Sequence, residues 1–310
     1  MSGPAGRANP RHGPAPSALR LATRGSPQAR TQAEAVAAAL GAAGVDAELV
    51  FVETTGDRRQ DVPLHTIGGQ GVFVKEVQQA VLDGRADAAV HSAKDLPSTP
   101  HPALHLGAFS ARRDAADALV GRALGDLAGG ATVATGSVRR RAQLAAARPD
   151  LRFAELRGNI ARRLGLVPDG GSIVMAVAAL QVLDLTDRIA ERLDPTEFVP
   201  AVGQGCVALE ARAGDGTTIA ALAAIDDPAT RHAVEVERSF LAELGSGCSL
   251  PVGGHVVDGW LHVFLAERDV IEPGEGAGRT VRDAVALDGG IGDHDLARAA
   301  ARAAHEAVTS

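Results

Sequence analysis

Along the first two thirds of the chain, short continuous apolar runs alternate with longer stretches whose apolar residues recur every three to four positions. Such alternation separates buried strands from amphipathic helices. It predicts a strand over 19–23, a helix over 27–40, a strand over 47–53, a helix over 72–82 and a strand over 86–91. Ser26 and Pro27 mark the start of the first helix, as a capping residue followed by a proline in the first turn. The pattern restarts with a strand over 131–135, a helix over 138–147 and strands over 151–155 and 173–178. This is the grammar of βαβ units, and it predicts two α/β domains with mainly parallel sheets. From about residue 229 the character changes: a helix over 233–244, strands over 254–257 and 260–266, and a final helix over 295–308. That last part reads as a small C-terminal α+β domain with an antiparallel sheet.

Composition narrows the picture. A chain of 310 residues with 45% hydrophobic content can bury two or three cores of ordinary domain size. Its net charge of −7 argues against a general binder of nucleic acid or anionic membrane. Aromatic content is 3%, with no tyrosine and one tryptophan, so stacking platforms for single strands are few. No apolar run reaches the length of a membrane span. Residues 1–17 are rich in Pro, Gly and Ala without an apolar centre; they read as a disordered tail on a soluble cytoplasmic protein.

The charge distribution is uneven. Between Arg139 and Arg163 stand eight arginines against two acids, a local charge of +6. A solvated helix face accounts for most charge runs, and Arg141 and Arg148 are assigned to one. In contrast, Thr135-Gly136-Ser137-Val138-Arg139-Arg140 places hydroxyl and small residues between a strand and a helix N-terminus, where free backbone N–H groups favour anions. Arg157, beside Gly158 at a strand end, and Arg163 in the next helix add two planar forks suited to carboxylate or phosphate. Arg24 and Ser26 occupy the equivalent turn of the first domain. Two α/β domains offering arginines at strand ends describe a cleft for a polyanionic small ligand. No phosphate-binding G-x-x-x-x-G-K-[ST] is present, and the histidines form no metal-ligand spacing.

Lys94 and Asp95 follow the strand at 86–91 and so fall at the carboxyl edge of the first sheet. The bland account is a solvated loop pair. The functional account is a carboxylate among ligand-binding cations, placed to stabilise positive charge or move a proton. The two cysteines exclude a disulfide framework. Cys206 sits at the start of a buried-strand pattern and is read as structural. Cys248, in Gly245-Ser246-Gly247-Cys248-Ser249-Leu250-Pro251, is either a small apolar filler or an accessible attachment point.

Seven ordered stretches resemble the hydroxymethylbilane synthase (porphobilinogen deaminase) family: LRLATRGSP (19–27), GGQGVFVKEV (68–77), ADAAVHSAKDLP (86–97), VATGSVRRRAQL (133–144), LRGNIARRL (156–164), PAVGQGCVALEAR (200–212) and GSGCSLPVGG (245–254). The resemblance implies a transferase that joins four porphobilinogen molecules head to tail, losing one ammonia each time. The product grows on a dipyrromethane cofactor bonded by a thioether to a loop cysteine, which by motif is Cys248. Asp95 would be the catalytic carboxylate, facing pyrrole N–H groups. Lys94, Thr135, Ser137, Arg139, Arg140, Gly158 and Arg163 would contact the cofactor. Arg24, Ser26, Phe73, Arg157 and Arg163 would contact substrate. The family fold has two lobes like periplasmic binding proteins and a third domain carrying the cysteine. It implies a tail at 1–17, a first domain over 18–110 and 203–226, a second over 111–202 and a third over 227–310, in a monomer.

Thr66 and Gln70 stand where many relatives have lysine, Val182 where arginine is frequent, and Cys206 where alanine is common. Two other readings compete. A binding protein that kept the anion cleft without catalysis would have no use for Cys248. A nucleic-acid binder would need more aromatics than this chain has, and a less negative charge.

Overall fold

The computed structural model describes residues 18–58, 71, 73–245, 251–267 and 278–310. The stretches 1–17, 59–70 and 246–250 lie outside the described residues, and with them the expected tail, Thr66, Gln70 and Cys248.

The chain opens with β1 (Leu19–Arg24), α1 (Pro27–Ala42), β2 (Ala47–Val52), α2 (Thr55–Arg58), α3 (Lys75–Leu82), β3 (Ala88–Ser92) and β4 (Leu104–Phe109). It continues through β5 (Asp117–Val120), β6 (Thr132–Ala134), α4 (Val138–Ala147), β7 (Arg152–Ala154), α5 (Ile160–Leu164), β8 (Ser172–Ala176), α6 (Val177–Val182) and β9 (Glu191–Arg192). It then returns through β10 (Val207–Arg212) and α7 (Gly216–Ala223). It finishes with α8 (Pro228–Glu243), β11 (Val252–Val257), β12 (Trp260–Ala266), β13 (Thr280–Ala286) and α9 (Asp293–Thr309).

The strands form three sheets. The first has the order β2-β1-β3-β10-β4 and the second β7-β6-β8-β5-β9. The two orders are equivalent. In each, the fourth strand runs antiparallel to both neighbours, while the first three pair in parallel. Both antiparallel strands are the first to be laid down after the chain changes sheet: β5 follows the passage out after Phe109, and β10 follows the return. This duplicated, doubly crossed α/β arrangement gives two equivalent lobes.

Side-chain alternation explains the layers. Leu21 and Val90 face one side of the first sheet and pack with Ala33, Val36 and Leu40 of α1. Their neighbours Ala22 and Ala89 face the other side and pack with Val77, Ala80 and Val81 of α3. Strands covered on both faces read as unbroken apolar runs, the pattern seen in the sequence. The second sheet repeats the device: Ile173 and Met175 belong to one core, Val174 to the opposite one with Leu144 of α4.

β11-β12-β13 is an antiparallel sheet. Leu261 and Val263 pack on Val236 and Phe240 of α8 and on Ala297 and Ala301 of α9. Phe264 and Ala266 point the other way, onto Ala142 and Ala145 of α4, which seats this sheet on the second lobe. Among the described residues, no helix is long and apolar enough to cross a membrane.

Candidate active site

The carboxyl ends of β1 and β3 face the segment between β7 and α5 across a cleft of about 720 Å³. Ligands of open α/β sheets bind at such carboxyl edges. Arg24, Ser26, Phe73, Lys94 and Asp95 line it from the first lobe, and Arg157, Gly158 and Arg163 from the second.

Local structure positions each of these groups. Ser26 caps α1, its Oγ accepting the Ala29 N–H at 3.4 Å, with Pro27 behind it in the first turn. The Arg24 guanidinium lies 4.1 Å from the Phe73 ring centroid, a cation–π contact. Gly56 lets the ring lie directly on backbone, since a Cβ there would overlap it. Ala93–Asp95 form a single 3₁₀ turn after β3, which turns Lys94 and Asp95 into the cleft. Gly158 has φ +105°, a conformation other residues rarely adopt. Its carbonyl accepts the Arg163 Nε at 2.8 Å, so the glycine turn fixes the direction of that guanidinium.

Positive charge is crowded here. Burial, with repulsion from Arg140 and Arg157, lowers the Arg163 pKa to about 10; Asp95 opposes this and Arg24 adds to it. Lys94 is lowered to about 8, chiefly by burial and by Arg140, with Asp95 and Asp117 pulling the other way. A cleft in which cations depress one another gains from an anionic ligand.

Thr135, Ser137, Arg139 and Arg140 stand outside the lining. Thr135 Oγ1 accepts the Ser137 N–H at 3.2 Å, and Ser137 caps α4 by accepting the Arg140 N–H. Arg139 is buried, donating to the Val199 carbonyl and the Asp117 carboxylate at 2.7 Å each. Arg140 donates through Nε and Nη2 to Asp117, and through Nη1 to the Val174 carbonyl. These forks, expected to grip ligand carboxylates, hold a protein carboxylate instead. The Arg140 charge nevertheless reaches both Lys94 and Arg163. Arg141 pairs with Glu155 and is only 14% exposed, and Arg148 pairs with Asp150 and donates to the Leu124 and Leu127 carbonyls, so neither stands on the solvated helix face expected for it.

Sequence reasoning missed Asp117, whose only signal is an acid inside an otherwise apolar run at 115–120. It also missed a polar group under the cleft floor. There His91 Nε2 lies 3.2 Å from Glu210 Oε2, which also accepts Gln78 Nε2 at 2.7 Å. Burial pushes the Glu210 pKa up, but His91 and Gln78 more than offset it and keep the carboxylate ionised. Cys206 is buried and its thiol pKa is pushed up to about 12 by that burial, the behaviour of a structural cysteine.

Residues 19–220 match the family model "Porphobilinogen deaminase, dipyromethane cofactor binding domain". Porphobilinogen deaminase of Acidothermus cellulolyticus is 49% identical over 246 residues, spanning 76% of this chain and 74% of that protein. The Syntrophobacter fumaroxidans protein of the same name is 44% identical, over 78% of this chain and 82% of its own. That of Mycolicibacterium gilvum is 47% identical, over 76% and 77%. Among solved structures, the methionine-binding protein MetQ is similar over 70% of this chain and 93% of its own, at 13% identity and a TM-score of 0.44. Cleft and relatives define the class, a transferase of tetrapyrrole synthesis that works on a dipyrromethane cofactor. The chain belongs to the porphobilinogen deaminase family.

Proposed function

We propose that the cleft condenses four porphobilinogen molecules head to tail into hydroxymethylbilane, with Asp95 as the catalytic carboxylate and Cys248 as the cofactor attachment point. The observation that carries this reading is the convergence of Arg24, Lys94, Arg157 and Arg163 around Asp95. Each porphobilinogen ring bears an acetate and a propionate, so the growing chain is a polyanion with pyrrole N–H donors. Cations for the carboxylates and a fixed carboxylate for the N–H groups suit that chemistry.

The dipyrromethane supplies the free pyrrole carbon on which elongation begins. Arg24, Arg157 and Arg163 bind carboxylates as bidentate partners. Lys94, Ser26 and the Gly158 turn orient them, and the Phe73 ring packs beside the pyrroles. As ammonia leaves the aminomethyl group, positive charge develops on the substrate, and the Asp95 carboxylate stabilises it. Thr135, Ser137, Arg139 and Arg140 act from behind, the arginines by their charge.

The same reading divides the chain into a first domain (18–110 with 203–226), a second (111–202) and a third (227–310) that carries Cys248. Sheet membership supports the division, since β10 pairs with β3 and β4. It also makes the protein a cytoplasmic monomer.

The test is the intact mass of the purified protein beside a Cys248→Ser variant. The expected result is an excess of two linked pyrrole units, lost in the variant. No adduct, even after incubation with porphobilinogen, would replace the transferase with a binding protein.

A further inference from the structure

We propose that Gln204 is a positioning residue that holds the Lys94 ammonium at the cleft wall and ties it to the Asp117–Arg139–Arg140 cluster of the second lobe. The proposal rests on the reading above in one respect, that Lys94 meets carboxylates of cofactor or substrate.

The geometry is specific. Gln204 is buried, with 1% of its surface exposed. Its Oε1 accepts the Lys94 Nζ at 3.2 Å. Its Nε2 donates to the Ala115 carbonyl at 2.7 Å and to Asp117 Oδ1 at 2.9 Å. Both Nε2 partners are oxygens that only accept, and the Oε1 partner only donates. Rotating the amide by half a turn would break all three contacts, so the orientation is determined by its surroundings.

The backbone is held as firmly. The Gln204 carbonyl accepts Arg112 Nε at 2.9 Å, and its N–H donates to the Ala201 carbonyl at 2.9 Å. Glycines flank it at φ +71° (Gly203) and +96° (Gly205). A Cβ on Gly203 would stand 3.0 Å from Ala93, and one on Gly205 would stand 2.7 Å from the Arg113 carbonyl. Gly203 therefore allows the returning chain to pass directly under the Ala93–Lys94 backbone, and Gly205 allows it to pass against Arg113 and Ala115. That passage brings the amide to the ammonium from below.

The consequence concerns Lys94, the one lysine among the described residues lining the cleft. A lysine stem has four rotatable carbons and loses considerable freedom when its head is fixed. Gln204 removes that cost before a ligand arrives, takes one of the three ammonium hydrogens and leaves two for the cleft. The charged groups facing Lys94 are Asp95, Asp117, Arg139 and Arg140. Against two arginines, a correctly aimed carbonyl oxygen favours the charged ammonium.

The experiment uses the holoenzyme and its Gln204→Leu and Gln204→Glu variants. Competitive acetylation with acetic anhydride across a pH series, read by mass spectrometry of the Lys94 peptide, gives the Lys94 titration midpoint without substrate. Removing one hydrogen bond to a charged group is expected to move it down by about one pH unit in Gln204→Leu. In Gln204→Glu the added negative charge moves it up. Steady-state rates should show KM rising about tenfold in Gln204→Leu, with a smaller change in kcat. Gln204→Glu, equal in size to the native residue, decides the matter should Gln204→Leu not fold. Midpoints equal to that of the native enzyme would overturn the proposal. Displaced midpoints in a protein that forms no tetrapyrrole would uphold the positioning role and overturn the reaction assignment instead.

Discussion

Glu237 on α8 offers the most quantitative test of how the lobes are joined. Its carboxylate is fully buried and receives both terminal nitrogens of Arg112, the Gly203 N–H at 2.8 Å and the Val256 N–H at 2.8 Å. Those partners belong to the outgoing connection, the returning connection and the third sheet. Burial pushes the Glu237 pKa up, but the Arg112 charge and the hydrogen bonds from His255 and Arg112 bring it to about 2. A depressed carboxylate contributes stability that is complete above its unfolded pKa and is lost as pH falls through the folded value, here between 4.5 and about 2. The depression corresponds to roughly 3 kcal/mol at neutral pH. Glu237→Gln leaves Arg112 buried and uncompensated, for which about 3–5 kcal/mol is typical. The two figures agree. Unfolding entropy near 2.1 cal/mol/K per residue gives about 0.65 kcal/mol/K over 310 residues, hence a fall in Tm of about 5–8 °C. Scanning calorimetry of both proteins from pH 7 to pH 2.5 reads the effect. The gap should narrow as acid protonates the native glutamate. A Tm within 1 °C of the native protein at pH 7, or a gap independent of pH, would refute the reasoning.

Four further outcomes are expected. Asp95→Ala should lower tetrapyrrole formation by about 10²–10³-fold or more with an unchanged circular dichroism spectrum, and near-normal turnover would remove its catalytic role. Gly158→Ala should cost about 1–3 kcal/mol in denaturant melts and raise KM, because a Cβ would stand 2.7 Å from Arg162 and displace the carbonyl holding Arg163. Lys94, lowered to about 8 mainly by burial and Arg140, should regain its proton when an anion binds. Calorimetric titration at pH 8.5 in buffers of different ionisation enthalpy should therefore register uptake of most of one proton, and Lys94→Met should abolish it. The two lobes should also hinge as the product lengthens from two to six rings, and identical X-ray scattering profiles for the cofactor-only and fully elongated enzyme would exclude that motion.

Local elements were legible because their signals lie in adjacent residues. The helix expected over 138–147 is α4, and the strand expected over 260–266 is β12. Ser26 and Pro27 start α1 where capping chemistry placed it. Where boundaries differ, a local signal accounts for it: α8 begins at Pro228 rather than 233 because Asp227 caps it by accepting the Thr230 N–H at 2.8 Å. The run at 173–178 predicts one strand, but β8 stops at Ala176 and α6 follows, a change that apolar continuity does not announce.

The sequence also placed Arg24, Lys94, Asp95 and Arg157 at strand ends and Arg163 in the helix that follows, and so in one cleft, because parallel sheets present those ends together. Tertiary structure decided the partners. Asp117 meets Arg139 and Arg140 from 22 and 23 residues away, and Gln204 reaches Asp117 across 87. β10 runs antiparallel because it enters the first sheet from the second, and an apolar run carries no record of direction. The sequence by itself determined which elements form and which carry charge. Only the fold decided which charges neutralise one another and which are left facing the cleft, because that depends on distances between residues far apart in the chain.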